Sequence, residues 1–415
     1  MKTNSFFIVS FLFFVVFSCT SQSKHVIESK DDSQYMIFQE NGKTKTETLF
    51  LQSSFFKGIK TILLETNASS LIGLISKIRV NDQYIFILDA VHAKSLFVFN
   101  KEGQFIRKIG NVGQGPGEYN RPYDFTIDKD NKIIYILDGA LQRINKYDIV
   151  TGTFIHAINL SEEVKSNRIE FLDGKLYADA YFRKHSNNNY LLRAINESSG
   201  KEENHYLNVM EFNKGVSNNT AFTMPLETFF LRENGNLIFV QQFMDHIIEI
   251  NNECIFSLID LKGKESLTSS EIKGAVEKNA NIYAGANLLP ELRQLKKYVD
   301  VNSFIEHKNW ILLEYNKGIR PIKFLIDKKT NEVTIFENKR DDLLVSDETV
   351  ISYPVPQVGC YDAGGVYCII HFTGVKRIKE LAKAGDLSLG LDRLEDLINL
   401  EEDANPILFY YEFKD

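Results

Sequence analysis

Hydrophobic positions along this 415-residue chain fall into short runs separated by Asp-, Asn- and Gly-rich turns, which predicts successive strands rather than long helices. The runs repeat. Gln83-Tyr-Ile-Phe-Ile-Leu-Asp89 returns as Lys132-Ile-Ile-Tyr-Ile-Leu-Asp138, and Gly103-Gln-Phe-Ile-Arg-Lys-Ile109 returns as Gly152-Thr-Phe-Ile-His-Ala-Ile158, both at an offset of 49. Between them Lys94-Ser-Leu-Phe-Val-Phe99 returns as Gln142-Arg-Ile-Asn-Lys-Tyr147 at an offset of 48, so the second copy has one extra residue in its next turn. Units of 40–50 residues holding four strands each predict the blades of a β-propeller.

Fainter copies extend the series. Blade three is expected over Arg168–Met210, blade four over Thr228–Leu261 and blade five over Asn302–Phe336. Blade six begins at Tyr353, uses Val366-Tyr-Cys-Ile-Ile-His371 and Ile407–Phe413, and borrows Ile59–Leu64 from near the N-terminus as its fourth strand. The expected fold is therefore all-β, a six-bladed propeller of four-stranded blades closed by strands from both chain ends, over residues 35–415. Two stretches change period. About 271–300 and 375–400, apolar residues recur every three or four positions, as in helices. The first joins blades four and five and the second lies between strands two and three of blade six, so both insertions should stand on one face.

Composition narrows the functional classes. A net charge of −7, with no Lys/Arg cluster, argues against nucleic acid as a partner. Residues 1–18 read as a signal peptide: Lys2 precedes the apolar run Phe6–Phe17, which is too short to span a bilayer. Val16-Phe17-Ser18-Cys19 resembles a lipobox, making Cys19 the expected lipidation site and residues 19–34 a polar tether to the membrane. Of the other cysteines, Cys254 reads as a packed thiol. Cys360 and Cys368 flank a turn near Gly364; with Asp362 opposite Val366 they would face each other and form a disulfide in an oxidising compartment.

Gly110-Asn-Val-Gly-Gln-Gly-Pro-Gly-Glu-Tyr119 follows an Asn100-Lys-Glu-Gly-Gln-Phe-Ile turn and precedes a Phe125-Thr-Ile-Asp128 strand. In this segment the chain resembles the six-bladed propeller lipoproteins of Bacteroides-type bacteria, distant relatives of NHL-repeat propellers. The resemblance is specific over about 76–160 and looser elsewhere. It implies the fold and an outer-membrane lipoprotein of the cell envelope, but little chemistry. Thr20–Lys24 lacks the acidic residues that often mark surface export in that group, leaving the periplasmic and surface leaflets both open.

The glycine-rich loop could face an anion with its amides. However, Glu118-Tyr119 leads into a strand where a phosphate-binding loop would need Gly-Lys-Ser/Thr and a helix, so an inter-blade connection is the expected role. A second constellation sits just past each second strand: Asp89, Asp138, Asp179, Gln241, Glu314 and His371. Propeller symmetry would bring these six round one mouth, with His92, Lys94, Arg143, Arg183, His246 and Arg320 in or near the adjoining loops and Gln114, Glu118 and Tyr119 in the glycine-rich connection. Such a ring suits a sugar, a peptide or calcium, whose oxygen ligands would come from these acids. The competing role for each residue is turn formation, in which Asp is favoured. No zinc-protease helix, nucleophile elbow, dinucleotide-binding turn or sialidase box is found, so no catalytic residue and no resident metal site is assigned. The expected function is a lipid-anchored binding or interaction module for a glycan, a peptide or an envelope protein. The alternative is a propeller lyase or hydrolase using a divalent ion in the central funnel.

Overall fold

In the computed structural model, residues 27–29, 33–38, 44–160, 166–179, 189–214, 227–278, 294–318, 320–346, 356–401 and 403–415 are described. They form six antiparallel blades in a ring, a six-bladed β-propeller. The blades comprise Lys77–Ile109, Pro122–Asn159, Ile169–Asn208, Phe229–Asp260, Tyr298–Arg340, and Gln357–Phe413 completed by Phe56–Leu63. The second strands Tyr84–Asp89 and Ile133–Asp138 are apolar on both faces and buried almost end to end, because each blade packs between two others. Outer strands such as Phe105–Ile109 alternate between partly buried and exposed residues. The core accordingly lies between blades: Ile85, Ile87, Phe97 and Phe99 of blade one meet Tyr367, Ile369 and Leu408 of blade six.

The blades one and two repeat holds down to backbone detail. Lys94 and Gln142, 48 positions apart, immediately precede the third strands with positive φ angles of 47° and 50°. Gly103 turns between strands three and four at φ 88°, where a Cβ would lie 2.3 Å from the Leu63 carbonyl oxygen of blade six. Only glycine fits there.

The expected closing strand is present: Phe56–Leu63 pairs with Ile407–Phe413 as the outer strand of blade six. Earlier residues add more. Ile27–Ser29, inside the expected tether, runs parallel to Cys254–Phe256, and Tyr35–Met36 runs parallel to Ile259–Asp260, both on blade four. Thr44–Leu51 runs parallel to Val333–Arg340 as a fifth strand of blade five. These additions cover edges that would otherwise offer unpaired backbone groups.

One local expectation is corrected. Cys360 and Cys368 are free thiols. A bulge between Val358 and Cys360 pairs Cys360 with Tyr367 and Cys368 with Val358. Cys360 packs on the blade-one side and Cys368 on the blade-five side. Gly359 permits the bulge, since a Cβ there would lie 2.4 Å from Ile78 Cγ2. Of the first helical insertion, Ser269–Lys278 is helical, residues 279–293 lie outside the described residues, and Tyr298–Asp300 belongs to the inner strand of blade five. The second insertion forms Phe372–Ala384 and Leu394–Asn399. The longer helix buries Val375, Ile378, Leu381 and Ala382 and ends at Gly385 in a left-handed cap. Strand direction puts both insertions on the face where second strands end and inner strands begin.

Candidate binding funnel

On that same face a cavity of about 790 Å³ opens along the propeller axis. Its wall includes Leu74–Ile78 of blade one, Arg168 of blade three, Glu227 of blade four and Gln357–Gly359 of blade six. A narrow space of about 60 Å³ on the opposite face shares Glu227, Asn302, Val358 and Gly359 with it. Between the two lies a buried ionic network on the inner strands. Lys77 Nζ sits 3.0 Å from Asp124, 3.4 Å from Glu170 and 3.9 Å from Glu227, while Arg79 reaches Glu170 at 2.7 Å and Glu227 at 3.6 Å. Thr126 donates its hydroxyl to Glu170, and the Ile169 amide donates to Asp124 at 2.8 Å. Burial pushes the Asp124 carboxyl up to about 6 against the pull of Lys77 and Arg168. At Glu170 burial acts the same way, but Lys77 and Arg79 outweigh it and hold the carboxyl below its ordinary range.

A second group lines the wall toward blades five and six. Glu314 lies 3.3 Å from Lys323 and 2.8 Å from Lys339. Burial would raise its carboxyl, yet the two ammonium groups bring it down to about 2. Lys323 is buried, which lowers its ammonium despite Glu314, and its Nζ stands 5.0 Å from the centre of the Phe50 ring. Asn302 and Asn316 bond to each other's side-chain oxygens at 2.8 Å, and Asn316 also donates to Asp300 at 2.7 Å. His371 Nε2 contacts Gln357 Oε1 at 2.9 Å, and burial lowers the ring's basicity.

The predicted ring of side chains is distributed differently. Glu314 and His371 do face the funnel. Asp89 accepts from the amides of Gly73, Leu74, Val91 and His92. Asp138 accepts from Asn120, Arg121, Ala140 and Leu141. Asp179 accepts from Asn167, Arg168 and the Ser166 hydroxyl. Each carboxylate thus ties the incoming inter-blade connection to the end of the second strand, with turn amides added at Asp89 and Asp138. Gln241 is buried at the end of its strand. His246 is buried inside blade four, its Nδ1 2.8 Å from Ser257 Oγ and its ring edge-on to Phe212. Lys94 lies exposed in the turn before the third strand of blade one, and Arg320 is exposed as the first residue of the strand Arg320–Asp327. His92 lies in a separate groove beside Leu71, Ile72 and Phe372.

The glycine-rich loop is self-contained. Glu118 accepts the Gly115 amide at 2.9 Å, Arg143 donates to the Gly115 and Glu118 carbonyls, and buried Tyr119 donates to the Ile109 carbonyl at 2.8 Å. A carboxylate of the loop itself therefore occupies the place an anion would take; Gln114 is exposed at its tip. Cys19 and Arg183 lie outside the described residues. Among the described residues, no three His, Cys, Asp or Glu side chains come together as metal ligands, and no helix is long and apolar enough to cross a membrane.

The innermost charges were missed in the sequence although a signal was there. Lys77-x-Arg79, Asp124-x-Thr126 and Arg168-x-Glu170 put polar residues at every second position of otherwise apolar inner strands.

Residues 23–412 match the family described as Domain of unknown function (DUF4934). The chain belongs to this family. The propeller fold is similar to that of a solved Bacteroides fragilis protein named "putative exported protein", with a TM-score of 0.67 at 20% identity, covering 90% of this chain and 99% of that one. A member of the DUF4221 family from Bacteroides vulgatus aligns at a TM-score of 0.48 and 10% identity, over 86% and 97% of the two chains. No curated protein matches the sequence.

Proposed function

We propose that this DUF4934 chain is a lipid-anchored binding module of the cell envelope, tethered through Cys19, that takes part of a glycan, a peptide or an envelope protein into its funnel. The observation carrying this reading is the funnel itself: a cavity of about 790 Å³ on the axis, lined by charged and amide side chains and crowned by the helical insertions. Its size suits a small ligand or the end of a larger one. The blades act as a rigid frame, and the reading requires no covalent step.

The test blocks the mouth. Thr373 lines the funnel and is exposed on the first turn of the longer helix, so Thr373→Trp narrows the mouth without entering the core. The full chain is screened by thermal shift against envelope glycans and peptides. A ligand at roughly 100 times its Kd should add about 2.7 kcal/mol, a shift of several degrees. Thr373→Trp should remove that shift. An undiminished shift in the variant would place binding elsewhere.

A further inference from the structure

We propose that the funnel recognises its ligand by a carboxylate, seated on Lys323 and Lys339, while Glu227 receives a ligand N–H or O–H; this rests on the funnel being the binding site. Two observations converge. First, Glu314 is one carboxylate shared by two ammonium groups, so the trio has one cationic charge more than its own acid neutralises. Lys323 is held against Phe50 and is buried, whereas Lys339 keeps about a quarter of its side chain accessible on the funnel wall. A ligand carboxylate arriving there meets two fixed donors in a partly desolvated site, where a charge-assisted hydrogen bond is stronger than in water.

Second, Glu227 Oε1 is buried on the funnel wall and, although Lys77 Nζ stands 3.9 Å away, accepts no hydrogen bond from any described residue. Buried acceptors of this kind are normally satisfied, so a site that leaves one open beside a cavity is complementary to a ligand donor. Among the described residues the lining holds no Phe, Tyr or Trp, so charge and amide contacts rather than stacking on such rings would hold the ligand. A peptide carboxylate and a uronic-acid sugar both present an acid with neighbouring N–H or O–H groups.

Isothermal titration of the full chain with matched pairs separates the cases: glutarate against glutaramide, trialanine against its C-terminal amide, and trigalacturonate against galactotriose. The acid of at least one pair should bind about tenfold tighter than its neutral twin. The trialanine and trigalacturonate arms tell a peptide from a glycan source. Lys339→Met should erase the preference. Glu314→Gln, which removes the competing internal carboxylate, should strengthen it. No acid preference in any pair, including no binding at all, overturns the carboxylate assignment, as does a preference that survives both Lys339→Met and Lys339→Gln. Equal binding of acid and neutral twins that Thr373→Trp abolishes would leave the funnel as the site and sink only the carboxylate. Binding indifferent to Thr373→Trp would sink the funnel.

Discussion

Asp138 illustrates how much one side chain can do without touching a ligand. Its two oxygens accept four backbone amides, two from the connection entering blade two and two from the turn after the second strand. The residue is fully buried, so Asp138→Ala leaves those amides without water or partner. The expected loss is roughly 3 kcal/mol, read as a lower urea midpoint at unchanged slope. Asp138→Asn, which keeps one acceptor oxygen, should recover part of it. A neutral Asp138→Ala would show that the connection holds itself in place. The residue type was legible from sequence, because the same Asp ends the second strand at 89, 138 and 179. Its role was not, since a strand-ending Asp in a turn and one in a ligand ring look alike until the amides around it are placed.

At the scale of elements, blades are joined by charge as well as by apolar packing. Arg232, just after the inner strand of blade four, binds Glu306 at the end of the inner strand of blade five through two hydrogen bonds of 2.6 and 2.8 Å. Lys328 adds a third at 2.7 Å. Burial would raise the Glu306 carboxyl, but these partners bring it down to about 2 from an ordinary 4.5. A carboxyl depressed on folding stabilises the native state above its unfolded pKa, and that stability is lost as the pH falls through the folded value. The contribution should therefore be complete above about pH 4.5 and fade toward pH 2, with a size of roughly 3 kcal/mol. Glu306→Gln should lie below the wild type by about that much in denaturant at pH 7, with the gap narrowing from pH 4.5 toward pH 2. A gap that stays constant over that range would mean the pair contributes little. Strand identity and blade order were readable because buried central strands repeat their apolar runs. Register was less so: the Gly359 bulge, invisible in a hydrophobic pattern, shifts the Cys360 strand by one residue and separates the two thiols. Thr44–Leu51 escaped for a related reason, since most of its side chains are exposed and carry no alternation to detect.

For the whole molecule, the direction of the first strand fixes how the propeller would stand on a membrane. Within blade four the third strand ends at Ile250 and the outer strand starts at Cys254, both at the face opposite the funnel. Ile27 pairs with Cys254 and the chain then runs parallel toward the funnel face, so it enters the sheet from the opposite side. With Cys19 acylated as proposed, eight residue steps separate the lipid from that entry point. Even fully extended they span no more than about 29 Å, at most 3.6 Å each. The blade-four edge must therefore lie close to the bilayer, with the funnel mouth and helical crown directed away from it and toward whatever the module captures. A fluorophore at Asn252, in the turn next to the entry point, should be quenched by nitroxide-headgroup lipids in proteoliposomes. One at Leu389, which is 91% exposed near the helical insertion, should be quenched far less. Cys19→Ser should abolish both signals by releasing the protein from the vesicle. Equal quenching at the two positions, or stronger quenching at Leu389, would mean that the funnel faces the lipid and that its ligand belongs to the membrane surface itself.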